Sequence, residues 1–242
     1  MIKKVLVFAM SLLFVNGLFA QSGFQGYIDS GNSNLKSKNY KGAISDFDNA
    51  LKAQPNDTAA FSGLIKAYLL SDDLKNAQKY IENALSKYPN NSEYYLRRGI
   101  LYNKRGIFEK AIEDFNQAIA KNPSNSLMVQ IYLNLGATEL RIEEYSSALG
   151  EYNKAMELSP RNPSIYNYRG YANYKMGNFM DAINDYNNAL DLDPNNAASY
   201  YNRGMAYLKT SDKSKACIDF HKACNIGNVN ACKMIMSECS AK

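Results

Sequence analysis

The chain has 242 residues, of which 46% are hydrophobic and 21% are charged, and its formal net charge is +5 at pH 7. These values are typical of a folded chain, and so balanced a charge gives no indication of a nucleic acid or a membrane surface as partner. The single histidine also leaves little room for imidazole catalysis.

The first 20 residues have the composition of a secretory signal peptide. A basic start, Met1–Lys4, precedes an almost wholly apolar run from Val5 to Val15, and the segment ends in the small residue Ala20. We expect cleavage after Ala20, with an uncleaved anchor as the alternative, although the apolar run is short for a membrane span. Export to a bacterial periplasm or envelope, or secretion, is therefore predicted, with no span after cleavage. The remaining chain has 26 basic and 23 acidic residues.

Prolines recur at a nearly fixed interval through the rest of the chain. Five of the six are separated by 34, 34, 37 and 34 residues. They are Pro55, Pro89, Pro123, Pro160 and Pro194. A period of this size indicates stacked copies of one supersecondary unit.

Five residue columns share this period. Two alanine columns lie seven residues apart, which is two turns of one helix, and a third column is glycine in five of six copies. Large rings precede the glycine by four residues, and another large side chain falls between the alanines. The glycine column is Gly31, Gly99, Gly136, Gly170 and Gly204, with Ile65 in the second copy. The column between the alanines is Phe47, Ile81, Phe115, Tyr152, Tyr186 and Phe220.

The spacing predicts two antiparallel helices in every copy. Twelve residues separate the glycine from the first alanine, which leaves room for a turn, and the pairing of large with small side chains suits close helix packing. The proline ends the second helix, because it lacks an N–H and its ring clashes with the preceding turn. Asn or Asp residues that follow it, such as Asp57, Asn91 and Asn196, are predicted to cap the next helix.

These columns resemble the tetratricopeptide repeat, and the resemblance covers nearly all of the chain after the leader. It implies an all-α solenoid of six helix–turn–helix repeats in a right-handed superhelix, closed by a C-terminal cap helix over 231–242. The predicted repeats are 24–57, 58–91, 92–125, 129–162, 163–196 and 197–230. Asn34, Glu139 and Asn173 depart from the tyrosine usual in the family, and Ser126–Met128 is an insertion that adds a turn of helix or a longer loop.

All four cysteines lie in the last 26 residues, as two pairs with a spacing of seven. In an antiparallel helical hairpin, the residue numbers of two facing residues add up to a nearly constant sum. The pairs Cys217 with Cys239 and Cys224 with Cys232 have the same sum. We therefore predict the disulfides Cys217–Cys239 and Cys224–Cys232, which export favours. This segment also resembles Sel1-like repeats, whose disulfide is similarly spaced.

Two other uses of these cysteines are open at this point. Cys217, His221 and Cys224 share a helix face at turn spacing, so a zinc site is conceivable, and a Cys–His pair is a conceivable thiol nucleophile. A stapled terminal cap is the preferred interpretation, since a solenoid end exposes apolar surface that needs a closing element.

The resemblance also assigns the lining of a concave groove to the first helix of each repeat. Helical spacing supports one stripe per helix, although such a stripe is also typical of a buried core. In the first two repeats this assignment includes Asn32, Leu35 and Lys66. The predicted peptide-binding residues are Leu96, Ile100, Leu133, Leu140, Asn167, Tyr171, Tyr174, Tyr201, Met205 and Leu208.

Arginines precede the glycine column in three repeats, and an aspartate follows each of them by sixteen residues. The pairs are Arg98 with Asp114, Arg169 with Asp185, and Arg203 with Asp219. In two other repeats leucine replaces the arginine, at Leu64 and Leu135. The residue sixteen positions later is then Tyr80 or Glu151 instead of aspartate. A structural ion pair is the preferred interpretation, and a ligand-binding arginine is the alternative.

The function predicted from these features is a non-catalytic exported scaffold that binds a protein or peptide in its groove. No cofactor, metal motif or catalytic set is indicated. The alternatives are a structural subunit of an envelope complex that uses its edges or convex face, and a Cys/His metal or thiol site. The tyrosines of the groove would also suit a carbohydrate.

Overall fold

The computed structural model describes residues 23–239, and every regular element within that range is helical. The predicted leader (1–20) and the last three residues of the predicted cap lie outside the described range. In chain order the helices are α1 (23–36), α2 (Tyr40–Ala53), α3 (Thr58–Leu70), α4 (Leu74–Lys87), α5 (Ser92–Lys104), α6 (Phe108–Ala120), α7 (Asn125–Arg141), α8 (Tyr145–Leu158), α9 (Pro163–Lys175), α10 (Phe179–Leu192), α11 (Ala197–Lys209), α12 (Lys213–Asn225) and α13 (Val229–Met234), which a π-helical turn (Ile235–Cys239) follows.

The described residues divide into two compact units. The N-terminal unit ends at Gly106 and the C-terminal unit begins at Ile107, so that the third repeat contributes α5 to one and α6 to the other. Within each unit, consecutive helices pack against each other in chain order, as expected for an α-solenoid of helix–turn–helix repeats.

The residues around the prolines both end and begin helices. Helix α4 ends at Lys87, two residues before Pro89, and α10 ends at Leu192, two residues before Pro194. The predicted caps are confirmed: the side chains of Asp57, Asn91 and Asn196 accept hydrogen bonds from backbone N–H groups in the first turns of α3, α5 and α11.

Contact between a glycine and a large ring joins the two helices of four hairpins. A Cβ atom at Gly170 would lie 2.8 Å from a ring carbon of the fully buried Tyr186, and one at Gly136 would lie 2.7 Å from the ring of Tyr152. The same relationship holds for Gly31 with Phe47 and for Gly204 with Phe220. Only a residue without a side chain lets the ring approach so closely, which accounts for the glycine column.

The insertion before the fourth repeat is helical. Helix α7 has 17 residues, whereas α5, α9 and α11 have 13 each. It begins at Asn125 after its N-cap Ser124, and it includes Ser126–Met128. The inserted residues thus extend the first helix by about one turn.

Two disulfides join α12 to the C-terminal segment with the predicted connectivity. Cys217 pairs with Cys239 at a Cα–Cα distance of 5.7 Å, and Cys224 pairs with Cys232 at 4.9 Å. The cap helix begins earlier than expected, at Val229 instead of 231, because Asn228 accepts a hydrogen bond from the N–H of Ala231 and caps it.

Candidate functional site

Three first helices of the C-terminal unit carry eight of the predicted groove residues. We call this set the aromatic face. It consists of Leu133 and Leu140 on α7, Asn167, Tyr171 and Tyr174 on α9, and Tyr201, Met205 and Leu208 on α11. The members recur every three or four residues on α9 and α11, and they are seven residues apart on α7, so each set lies on one side of its helix.

The tyrosines of α9 and α11 lie close together within this face. Burial raises the pKa of Tyr174, and the neighbouring Tyr201 and Tyr171 raise it further. The ring of Tyr174 is 5.6 Å from that of Phe179, and the ring of Tyr201 is 6.0 Å from that of Phe220. Two successive repeats therefore contribute to one aromatic cluster, and each ring is held by a phenylalanine of its own hairpin.

Exposure differs sharply within the aromatic face. Tyr171 is 39% exposed, whereas the other seven members are half-buried. Leu133 and Leu140 pack against the core of the fourth repeat, and Met205 and Leu208 pack against that of the sixth. The stripe thus serves the core and the surface together, and Tyr171 offers the most accessible ring.

The predicted residues of the N-terminal unit form a different surface. Leu96 is 0% exposed, so it belongs to the core and cannot contact a partner in this structure, which corrects its assignment to the groove lining. Ile100 is half-buried and packs against a core cluster. Asn32, Leu35 and Lys66 line a cavity of about 560 Å³ between α1 and α3, which is mainly polar and charged.

Two of the three predicted Arg–Asp pairs join the hairpins of the C-terminal unit. Arg203 donates from Nε and Nη2 to the two oxygens of Asp219, both at 2.8 Å, and Arg169 makes the same kind of contact with Asp185. The members of the third pair, Arg98 and Asp114, fall in different units. Because these guanidinium groups are committed to aspartates, the structure favours the ion-pair interpretation over a ligand-binding one.

Each of the two arginines also reaches the preceding repeat. Arg169 Nη1 donates to Asn153 at 2.9 Å, and Arg203 Nη1 donates to Asn187 at 2.6 Å. The arginine therefore links three helices, which the pairwise spacing in the sequence did not reveal. The asparagines occupy the same column, 34 residues apart, so a recurrent amide was the available signal.

The departures from the family pattern at Asn34 and Asn173 have a structural cause. Asn173 donates to Asp185 at 3.1 Å, and Asn34 donates to Asp46 at 2.8 Å. Each asparagine amide thus donates a hydrogen bond to the aspartate in addition to the bond that the aspartate accepts from another side chain. The sequence pattern shows the departures but not this role.

In the fourth repeat, Glu139 and Glu151 occupy the positions that correspond to Asn173 and Asp185 in the fifth. Burial raises the pKa of Glu139 to about 7, with Glu151 as the second cause. Glu139 Oε2 and Glu151 Oε2 are both buried without a hydrogen-bond partner, while Glu151 Oε1 accepts from Lys154 at 2.7 Å. Burial and the neighbouring carboxylate both favour the protonated form of Glu139. The sequence feature that accompanies this pair is Leu135, which stands where the fifth and sixth repeats have Arg169 and Arg203.

The cysteine cluster holds no thiolate. All four cysteines are in disulfides, so the sulfurs of Cys217 and Cys224 are unavailable as zinc ligands or as nucleophiles. Among residues 23–239 no group of three or more His, Cys, Asp or Glu side chains is arranged to hold a metal ion. Over the same range no helix has the length and apolar character needed to cross a bilayer.

The repeat models of known families match most of this chain. Models of the tetratricopeptide repeat match residues 34–99, 92–125 and 197–226, and a TPR repeat model matches 140–177 and 174–211. A TPR repeat-containing protein of Pseudomonas aeruginosa is 31% identical over 146 residues, which are 59% of this chain and 24% of that protein. The chain therefore spans about a quarter of the length of this curated relative.

Solved structures share the fold at low sequence identity. The structure described as a functional characterization of Pseudomonas aeruginosa pilF has a TM-score of 0.73 at 18% identity, covering 90% of this chain and 99% of that one. YrrB, described as a TPR protein with an unusual peptide-binding site, has a TM-score of 0.59 at 19% identity and covers 79% and 97%.

The fold and the repeat-model matches define a helical repeat scaffold of the class that mediates protein–protein interaction. The chain belongs to the tetratricopeptide repeat family. Members of this family are generally non-catalytic.

Proposed function

We propose that this protein is a non-catalytic exported scaffold that binds a protein or peptide partner on its aromatic face. The observation that carries the proposal is the cluster of Tyr171, Tyr174 and Tyr201, in which adjacent repeats present aromatic side chains on one side. Aromatic anchors of this kind dominate the energetics of many interfaces. The YrrB comparison supports a peptide as the ligand, since that protein of the same fold is described as having a peptide-binding site.

Affinity capture with single-residue variants tests the binding surface. The purified protein is immobilised and exposed to the envelope fraction of its own source, and retained proteins are identified by mass spectrometry. We expect Tyr171→Ala to lose most of the partner, because Tyr171 is 39% exposed and its removal leaves the core intact. Tyr27→Ala is the matched control, since Tyr27 is 40% exposed in the N-terminal unit.

Two outcomes would reject a protein partner on this face. Equal recovery of the same partners by both variants would move the interaction elsewhere on the molecule. Recovery of glycans instead of proteins, lost with Tyr171→Ala, would indicate a carbohydrate ligand.

The leader supports export. Fractionation of cells and N-terminal sequencing of the recovered protein test this part of the proposal. We expect a chain that begins at Gln21 and lies outside the cytoplasm. An intact Met1 in cytoplasmic material would reject it.

A structural subunit that uses its second helices is the other candidate. Met180 on α10 is 64% exposed and Ile218 on α12 is 58% exposed, which places two apolar side chains on the outer helices of successive repeats. Met180→Ser with Ile218→Ser should then disrupt co-purification of the complex while Tyr171→Ala does not. The reverse result would favour the aromatic face.

A further inference from the structure

The first helices of the fifth and sixth repeats carry only basic charged residues. Helices α9 and α11 contain no Asp or Glu, whereas α10 contains Asp181, Asp185 and Asp191. The arginines of α9 and α11 are paired inward with Asp185 and Asp219. The charge left at the surface of both first helices is therefore positive.

A lysine follows the aromatic face on each of these helices. Lys175 comes four residues after Tyr171, and Lys209 comes four residues after Met205, so each lysine continues the stripe that forms the face. Both lysines are exposed. The ammonium of Lys175 lies 5.5 Å from the centroid of the Tyr145 ring, and its pKa is raised first by Tyr145 and Tyr171, with Glu143 as the carboxylate that acts on it.

Lysine in a last turn also stabilises its own helix through the dipole, so the two cations alone do not define a binding site. The second observation is that α9 and α11 contain no acidic residue. In addition, Lys209 forms no ion pair among the described residues. A surface that combines apolar rings with one edge of cations is complementary to a ligand with apolar and anionic groups.

We propose that the aromatic face binds an extended acidic segment of a partner protein. Apolar side chains of the segment pack on Tyr171, Tyr174 and Tyr201, and its carboxylates pair with Lys175 and Lys209. This inference rests on the proposed function, because it specifies the chemistry of the same ligand. Contacting helices lie about 8–10 Å apart and an extended chain advances about 3.3 Å per residue, so the two carboxylates should be about three residues apart.

Selection from a displayed library of random peptides, about 12 residues long, on the purified full chain tests this inference. We expect enrichment of peptides that combine apolar residues with two Asp or Glu residues about three positions apart. The best of them, made as a labelled synthetic peptide, should bind roughly 3- to 10-fold more weakly to Lys175→Gln/Lys209→Gln, with a shallower dependence on salt. Lys213→Gln/Lys233→Gln, which removes two exposed lysines from α12 and α13, is the matched control and should bind normally.

The outcomes separate this inference from the function on which it rests. Enrichment of neutral or basic apolar peptides whose binding is lost with Tyr171→Ala would overturn the acidic ligand and leave a peptide-binding face. Acidic peptides that bind both lysine double variants equally well would also overturn it. Failure to enrich any peptide would overturn both proposals.

Discussion

Arg203 on α11 holds the carboxylate of Asp219 on α12 in a bidentate pair, with both N–O distances at 2.8 Å. The arginine side chain is 19% exposed and that of the aspartate is 4% exposed. The same arginine donates to Asn187 of the preceding repeat. One side chain thus satisfies a buried charge within its hairpin and links that hairpin to the previous one.

Loss of this arginine should destabilise the C-terminal unit strongly. Arg203→Leu leaves Asp219 buried without its counter-ion, and we expect unfolding free energy to fall by about 2–4 kcal/mol, measured by chemical denaturation. Lys52→Ala, which removes an exposed pair with Asp48, should change the unfolding free energy far less, because solvent screens that pair.

The second repeat offers a compensating variant. There Leu64 and Tyr80 occupy the corresponding positions, and the ring of Tyr80 stacks on Tyr68 at 5.4 Å. Because Tyr207 of the sixth repeat corresponds to Tyr68, Arg203→Leu/Asp219→Tyr should recover much of the lost stability. A double variant no more stable than Arg203→Leu would contradict this account of the column.

Substitution by alanine should have opposite effects at Gly170, which belongs to the glycine column, and at Gly150, which does not. Gly170→Ala places a Cβ atom 2.8 Å from the ring of Tyr186 and 3.1 Å from Cβ of Asp185, and should cost about 1–3 kcal/mol. Gly150→Ala meets no atom within 4 Å and should stabilise α8 by about 0.5–1 kcal/mol, since alanine favours a helix. Thermal unfolding of both variants measures the difference, and equal shifts would contradict the packing described.

The carboxyl pair of the fourth repeat predicts a pH-dependent stability. The folded-state pKa of Glu139 is about 7, against an ordinary value of 4.5, so its protonated form is favoured in the folded chain. The contribution of Glu139 to the free energy of unfolding is therefore greatest below about pH 4.5, and it is lost as the pH rises to about 7. We expect this loss to be about 1–3 kcal/mol after allowance for solvent screening. Besides Glu151, the charged groups that act on Glu139 are Lys154 and Glu144.

Replacement of the titrating group isolates this contribution. Glu139→Gln should be more stable than the natural chain at about pH 8, and it should show a smaller difference in melting temperature between about pH 5 and pH 8. Glu157→Gln, an exposed position on α8, is the control and should retain the full dependence. Parallel pH profiles for all three proteins would rule out Glu139 as the source.

The disulfides should stabilise the last hairpin. Protein isolated without reductant should contain no free thiol. Cys217–Cys239 spans 22 residues and Cys224–Cys232 spans 8, so loop-closure entropy predicts about 3 and about 2–3 kcal/mol respectively. Hydrogen exchange after reduction should rise in α12 and α13 and remain unchanged in α2 and α3. Unchanged exchange in α12 would show that packing alone holds the cap.

Local periodicity made much of this architecture predictable. The proline interval, the helix caps and the glycine-to-ring pairing each depend on contacts within one hairpin, so every repeat supplies the same signal again. The two disulfides and the Arg–Asp pairs were predictable for the same reason, since antiparallel helices fix which residues face each other. Binding by the aromatic face, the repeat boundaries and the exported location stay predictions.

Contacts that depend on neighbouring hairpins were not predictable in this way. The links from Arg169 to Asn153 and from Arg203 to Asn187 join successive hairpins, and the burial of Leu96 could not be read from its own helix. By itself the sequence determined a helical repeat chain with a stapled end, because its period repeats a local packing rule. Only the tertiary structure decided which side chains of each stripe remain at the surface, because exposure depends on atoms from other repeats.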